Sequence, residues 1–83
     1  MNYSVVWLPG AEQELTRIWL NAADRKAVTA AADLLDKRLQ LNPEVESESR
    51  SEEQRITFEK PLAILFQIEF DQRRVVVVHV WRY

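Results

Sequence analysis

A chain of 83 residues is long enough for one domain and too short for two. Its net charge of −2 favours neither a nucleic-acid-binding protein nor a protein that binds membrane surfaces. The absence of cysteine excludes disulfides and cysteine–metal sites and is typical of a reducing compartment. The sequence has neither the apolar run of a signal peptide nor the roughly 20 apolar residues of a membrane span. We therefore expect a cytoplasmic protein that does not bind membranes.

The first predicted elements are a short strand at residues 3–8 and a helix at Pro9–Asn21. The strand is rich in β-branched and aromatic residues, and Pro9-Gly10 ends it. Pro9 also suits the first turn of a helix, where its missing N–H costs nothing. The apolar residues that follow have helical spacing and predict one buried face: Ala11, Leu15, Ile18, Trp19 and Ala22.

A second helix is predicted from Asp24, which suits the N-cap position, to about Leu41. It should end there because Pro43 disfavours helical geometry at the preceding residue. Its main apolar stripe consists of Val28, Ala31, Leu35 and Leu39. Residues 44–53 contain five glutamates and only one arginine, and predict a loop with room for a short edge strand. Their carboxylates lack the spacing of a calcium loop, so we predict no metal site.

Three strands should follow, at Gln54–Glu59, residues 62–70 and Arg74–Arg82. Apolar and other residues alternate in the middle strand, as expected for a half-buried strand. The last strand is apolar almost throughout, which predicts a central strand covered on both faces. At a sheet edge the same run would promote association, and a homo-oligomer is one possibility. No glycine fixes the turn at residues 71–73, so the sequence does not fix the hairpin register. His79 and Trp81 can therefore point to either side of the sheet at this stage.

The element order β-α-α-β-β-β predicts an α+β fold. A two-helix hairpin should pack on one face of a small, mostly antiparallel sheet, leaving the opposite face partly open. We expect the three tryptophans, Trp7, Trp19 and Trp81, to pack in the core or between helices and sheet. As an alternative to core packing, Trp81 would stack on a nucleic-acid base or form part of a surface that binds a partner chain.

This pattern resembles the RelE/ParE superfamily, the toxins of type II toxin–antitoxin modules. The resemblance spans nearly the whole chain. It rests on a short strand ending near Trp7, a helical hairpin, and three segments of the sheet: Arg55-Ile-Thr-Phe, Ala63-Ile64-Leu65-Phe66 and Val80-Trp81-Arg82. It implies a protein without cofactors whose main partner is a cognate antitoxin. RelE-like members cleave mRNA on the ribosome, ParE-like members poison DNA gyrase, and a non-toxic module that keeps the fold is a further alternative.

The resemblance also implies site residues. Arg55 matches the arginine of the first meander strand, Arg82 matches the arginine near the C-terminus, and Tyr83 lies where some members keep an aromatic residue. Ala63 replaces an expected arginine and Phe66 an expected tyrosine, which weakens the case for RNA cleavage.

Cleavage of RNA also needs a proton shuttle and cations at the phosphate. His79 is the one side chain with an ordinary pKa near neutrality, so it joins Arg55, Arg82 and Tyr83 as a catalytic candidate. Each has a structural alternative, as a hydrogen-bonded sheet residue or an ion-pair partner. The candidate binding residues are Lys60, Arg73, Arg74 and Trp81, of which the three cations are equally explained as solvated turn residues.

Overall fold

The computed structural model describes residues 2–44, 47–49 and 54–83, in which two helices cover one face of a sheet. In chain order the elements are β1 (Ser4–Trp7), α1 (Pro9–Asn21), α2 (Arg25–Leu41), β2 (Ser47–Ser49), β3 (Gln54–Glu59), β4 (Leu62–Glu69) and β5 (Arg74–Arg82). The predicted α+β class and element order are confirmed. β2 is the short edge strand that was allowed for within residues 44–53. No helix of the described residues is both long and apolar enough to span a membrane.

The strands form one mixed sheet in the order β1-β5-β4-β3-β2. β1 runs parallel to β5, and every other pair is antiparallel. The predicted central position of β5 is confirmed for Arg74–Val77, which lies between β1 and β4. The prediction that β5 is covered on both faces is wrong. The helices lie on one face only, so Val75 and Val77 are buried while Val76 and Val78 are half-exposed.

A β-bulge in β5 determines which of its side chains reach the helices. The register against β4 shifts between Leu65 and Phe66, because Leu65 lies opposite His79 whereas Phe66 lies opposite Val77. Val78 is therefore an extra residue in the ladder. The bulge allows Val77 and Val80, which are three positions apart, both to face the helices and be buried.

The core lies between the helices and this covered face of the sheet. Its helical part is formed by the residues predicted for it: Val28, Ala31, Leu35 and Leu39 of α2, with Ala11 of α1. The alternate residues of β4 and β5 complete it: Leu62, Ile64, Phe66, Ile68, Val75, Val77 and Val80. Truncating a buried leucine or phenylalanine in such a core typically costs about 2–5 kcal/mol. The core therefore sets the orientation of the helices on the sheet.

Polar contacts at the helix ends hold the hairpin in place. Asp24 is the N-cap of α2 as predicted, and its backbone C=O accepts hydrogen bonds from the N–H groups of Ala27 and Val28. Arg25 donates to the backbone C=O groups of Trp19 and Leu20 at the end of α1, at 3.1 and 2.9 Å. The Leu20 C=O gains a partner in this way, and the Trp19 C=O also accepts from the backbone N–H of Ala22 at 3.2 Å.

Arg38 attaches α2 to β3. It donates hydrogen bonds to the Thr57 hydroxyl at 2.9 Å and to the Phe58 C=O at 3.0 Å. It also pairs with the Glu59 carboxylate at 2.6 Å. Because Thr57 is fully buried, this contact also satisfies a hydroxyl that water cannot reach.

The tryptophans differ in their surroundings. Trp7 packs against the core, as predicted, and its indole N–H donates to Asp36 at 3.4 Å. Trp19 is 38% exposed and lies on the outer side of the helix pair, where it donates to the Thr29 hydroxyl and carries the Arg25 guanidinium over its ring. Trp81 is 37% exposed on the side of the sheet away from the helices. The prediction that all three pack in the core or between helices and sheet is therefore confirmed for Trp7 alone.

The connection between β4 and β5 is a 3₁₀ turn, Phe70–Gln72, followed by Arg73. β4 ends at Glu69, one residue before the predicted end. Arg73 adopts the left-handed conformation, with φ of 50°, in a position that glycine or asparagine occupies more readily.

Replacing Arg73 with glycine should raise the free energy of unfolding by about 0.5–1 kcal/mol. Glycine removes the steric cost of the left-handed conformation, and part of this gain is offset by the greater freedom of the unfolded chain. Urea unfolding followed by circular dichroism measures the change. Gln72→Gly is the matched control, because Gln72 has no positive φ and glycine there should destabilise. Destabilisation by both variants would contradict the assignment of strain to Arg73.

Candidate functional site

The side of the sheet away from the helices, which we term the open face, carries aligned side chains of β3, β4 and β5. Residues directly opposite in an antiparallel sheet point to the same side. One row consists of Phe58, Ala63 and Trp81, and the next of Ile56, Leu65 and His79. A third row consists of Gln54, Gln67 and Val76. The open face is therefore mainly apolar in its middle.

Aromatic side chains dominate one end of the open face. Ala63 is fully buried although it lies on this face, because Phe58 and Trp81 flank it from the two neighbouring strands. Tyr83 follows β5 on the same side, and its ring meets that of Phe58 edge to face, with centroids 5.4 Å apart. The Tyr83 N–H donates to the Pro61 C=O at 3.1 Å, which fixes the chain end beside the β3–β4 turn. Phe58, Trp81 and Tyr83 together form what we term the aromatic cluster.

His79 lies next to this cluster on β5 and contacts the first helix. Its Nδ1 is 3.3 Å from Oε1 of Glu14, and the imidazole is more than half exposed. The same Glu14 oxygen is 3.5 Å from the Val80 N–H, which points away from β4. β1 pairs with β5 only as far as Val77, and beyond that point Glu14 contacts the edge of β5. The same carboxylate orients the imidazole of His79.

Arg82 lies on the covered side, because it is opposite the buried Leu62. Its guanidinium forms two hydrogen bonds to the Asp24 carboxylate, at 2.9 and 2.8 Å. These hydrogen bonds hold the pKa of Asp24 below its usual value and raise the pKa of Arg82. Arg82 thereby joins the end of the sheet to the start of α2.

Of the other candidate cations, only Lys60 lies at the end of the sheet that carries the aromatic cluster. Arg55 is opposite Phe66 and so belongs to the covered side of β3. Lys60 is exposed in the β3–β4 turn, at the same end as Tyr83. Arg73 and Arg74 lie at the opposite end of the sheet, where Arg74 pairs with Glu69 at 2.5 Å.

Sequence comparison gives no identification, since no family model and no curated protein sequence matches the chain. Solved structures do match. The chain is similar to a structure of the toxin–antitoxin complex RelBE2 from Mycobacterium tuberculosis, with a TM-score of 0.80 and 17% identity over the full length of both chains. The chain has a RelE/ParE-like fold.

Two further structures agree. The chromosomal ParDE toxin–antitoxin system from Pseudomonas aeruginosa matches with a TM-score of 0.67 and 20% identity, over 96% of this chain and 95% of that one. An archaeal RelE–RelB complex from Pyrococcus horikoshii matches with a TM-score of 0.65 and 10% identity, over 99% and 96%. The RelE/ParE-like fold inferred from the sequence is confirmed, and at these identities the likeness concerns the fold.

Within this RelE/ParE-like fold, the predicted site residues divide into three groups. His79, Trp81 and Tyr83 lie along one strand on the open face. Arg55 and Arg82 belong to the covered side, while Arg73 and Arg74 lie at the far end. Among the described open-face residues of β3, β4 and β5, Arg74 is the only arginine or lysine. The arrangement presents aromatic and aliphatic surface beside one imidazole, and it does not gather cations around a common point.

Sequence reasoning missed several residues of this surface. Phe58 is 41% exposed and belongs to the aromatic cluster, and the partly exposed Leu65 and Val76 add apolar surface on the same face. Alternation along β3 could have suggested Phe58, but only the register shows that it lies on the open face. Glu14 and Asp24, the partners of His79 and Arg82, are 65 and 58 positions away in the chain, and no local pattern indicates such pairs.

The Asp24–Arg82 pair predicts a pH-dependent coupling. Because the pKa of Asp24 is lowered in the folded protein, the pair stabilises the fold above the carboxyl group's usual pKa. This contribution disappears as the pH falls through the lowered pKa. A double-mutant cycle with Asp24→Asn and Arg82→Gln, measured by urea unfolding, should give a favourable coupling energy at neutral pH and none in strong acid. A coupling energy that stays constant down to that pH would show that the carboxylate charge is not its basis.

Proposed function

We propose that this protein is the toxin of a type II toxin–antitoxin module and that it acts through the open face. The fold supports a toxin, because the similar structures from M. tuberculosis and P. aeruginosa belong to toxin–antitoxin systems. The observation that carries the proposal is the exposed aromatic cluster beside His79. Such a surface of aromatic and aliphatic side chains is typical of a protein interaction site.

Among toxin activities, the open face favours binding to a protein target such as DNA gyrase. RNA cleavage needs cations close to the scissile phosphate. Arg82 is held by Asp24 and Arg55 belongs to the covered side. An aromatic surface without clustered cations is better suited to contact with protein. The proposal implies a cytoplasmic location, since this target lies there, and a cognate antitoxin as neutralising partner.

A ribosome-dependent mRNA nuclease is the second candidate function, and the His79–Glu14 contact favours it. A carboxylate that orients an imidazole is a common arrangement for proton transfer. Trp81 and Tyr83 lie on the same face and could stack on bases. In this candidate His79, Tyr83, Arg55 and Arg82 keep the catalytic roles proposed for them, and Lys60, Arg73, Arg74 and Trp81 bind RNA.

Induced expression in a bacterial host separates these functions. A toxin should arrest growth, whereas a non-toxic module that keeps the fold should leave growth unchanged. For the proposed function, arrest should be accompanied by inhibition of DNA supercoiling by purified gyrase, and primer extension on cellular mRNA should show no codon-phased cuts. Codon-phased cuts that disappear in Arg82→Ala or His79→Ala would favour the nuclease instead.

The two exposed tryptophans provide a matched test of the open face. Trp81→Ala should abolish growth arrest, because loss of a central aromatic side chain from an interface typically costs about 2–4 kcal/mol of binding free energy. Trp19→Ala removes an equally exposed tryptophan from the helical side and should leave the arrest intact. Circular dichroism and protein level confirm that both variants fold. Arrest by Trp81→Ala at full strength would place the toxic surface elsewhere.

A further inference from the structure

A cavity of about 510 Å³ lies where the turn between the two helices meets the end of β5. Two arginines line it, Arg17 from α1 and Arg82 from β5, together with Asn21 at the end of α1. Because Arg82 belongs to the covered side of the sheet, the cavity is separate from the open face that carries Trp81. It therefore brings two cations from distant parts of the chain to one place outside the aromatic cluster.

Arg82 is fixed beside this cavity and keeps most of its capacity to donate. Its Nη1 and Nη2 each donate one hydrogen bond to the Asp24 carboxylate, at 2.9 and 2.8 Å. A guanidinium has five N–H groups, so three are left for an acceptor outside the described part of the chain. The side chain is 43% exposed, so a ligand can reach it. The contact with Asp24 fixes the orientation of the guanidinium in advance, which lowers the entropy cost of binding.

Arg17 has no ion-pair partner among the residues that the structure describes. Glu14, one turn earlier on α1, instead contacts His79 and the Val80 N–H. Asp24 is the one carboxylate among the described residues that line the cavity. Two guanidinium groups against one carboxylate leave a net positive charge, which favours an anionic ligand.

A phosphate group suits this cavity better than a carboxylate does. A phosphomonoester has three terminal oxygens, enough to accept from Arg17, Arg82 and the Asn21 side-chain amide together, whereas a carboxylate has two. The planar guanidinium also matches two phosphate oxygens at once. The volume of the cavity leaves room for a small organic group attached to the phosphate.

We propose that this cavity binds the phosphate group of a small molecule, either free phosphate or a phosphomonoester. Arg17 would bind the phosphate from α1 and Arg82 from β5, while Asp24 positions Arg82. Because these residues belong to three different elements, a bound phosphate would link both helices to the end of the sheet. Binding to the folded state alone would also stabilise the fold. This site goes beyond the proposed toxin function, and neither depends on the other.

The test uses the full chain, labelled with nitrogen-15, at neutral pH and low salt. Addition of inorganic phosphate up to about 20 mM, with chloride at the same ionic strength as reference, should shift the backbone amide signals of Ala23 and Arg82. Arg17→Gln should weaken phosphate binding about fivefold, the range expected for one exposed charged contact. Lys37→Gln removes an exposed cation of α2 that does not line the cavity, and it should bind as the parent does. The remaining amide signals show whether both variants fold.

The same titration with adenosine monophosphate separates the two sources of the phosphate group. Binding no tighter than that of inorganic phosphate would assign the site to the free ion. Tighter binding, with further shifts at Ile18 and Ala22, would assign it to a phosphomonoester.

Several results would overturn this site. They are shifts at Ala23 and Arg82 no larger than those with chloride, an equal response to acetate, or equal weakening by Arg17→Gln and Lys37→Gln. Shifts confined to the open face would also overturn it. A lack of growth arrest would reject the toxin function and leave the result of this titration unaffected.

Discussion

Packing of the two helices against alternate side chains of β4 and β5 is the constraint on which the rest of this structure depends. Phe66, Val77 and Val80 are buried beneath α1 and α2, and burying each contributes about 1.5–3 kcal/mol. Exposed ion pairs contribute much less. Packing of the core therefore decides to which side of the sheet each strand residue points. The bulge at Val78 allows β5 to place apolar side chains in the core on both sides of the bulge. Side chains between the core positions are left on the open face.

This division separates charge from apolar surface. Arg38 and Arg82, both on the covered side, are used to attach the helices to the sheet, through Glu59 and Asp24. The open face keeps its aromatic cluster accessible. Opposite the helices, the molecule thus presents an apolar surface suited to another macromolecule, while these two arginines serve the fold. A groove between β1 and the two helices is a separate surface, and its carboxylates, those of Glu12, Asp33 and Asp36, disfavour nucleic acid there.

Much of the fold follows from local patterns. The stripe of Val28, Ala31, Leu35 and Leu39 has the spacing of a buried helix face, and all four are buried. Pro9 and Pro43 mark helix boundaries because of their fixed geometry, and both boundaries agree with the structure to within one or two residues. The resemblance of the whole pattern to RelE/ParE toxins predicted the fold that the structural comparisons confirm.

The candidate site could be predicted only in part, because it depends on register. The turn at residues 71–73 contains Arg73 in a left-handed conformation that its sequence does not signal, and the bulge at Val78 has no signature within a run of valines. Without these two features, Trp81 could face either the helices or the opposite side. The pairs formed by Arg82 and His79 with residues of the helical hairpin join distant parts of the chain, so local spacing could not reveal them.

The side chains of Phe58 and Trp81 share the open face, away from the helices. Nuclear Overhauser contacts of the Trp81 indole protons measure this most directly. We expect contacts to the methyl group of Ala63, which lies opposite Trp81 on β4. Contacts from Trp81 to Ile18 or to other side chains of α1 would show that the strand is shifted by one residue, and would contradict the placement of Trp81 on the open face.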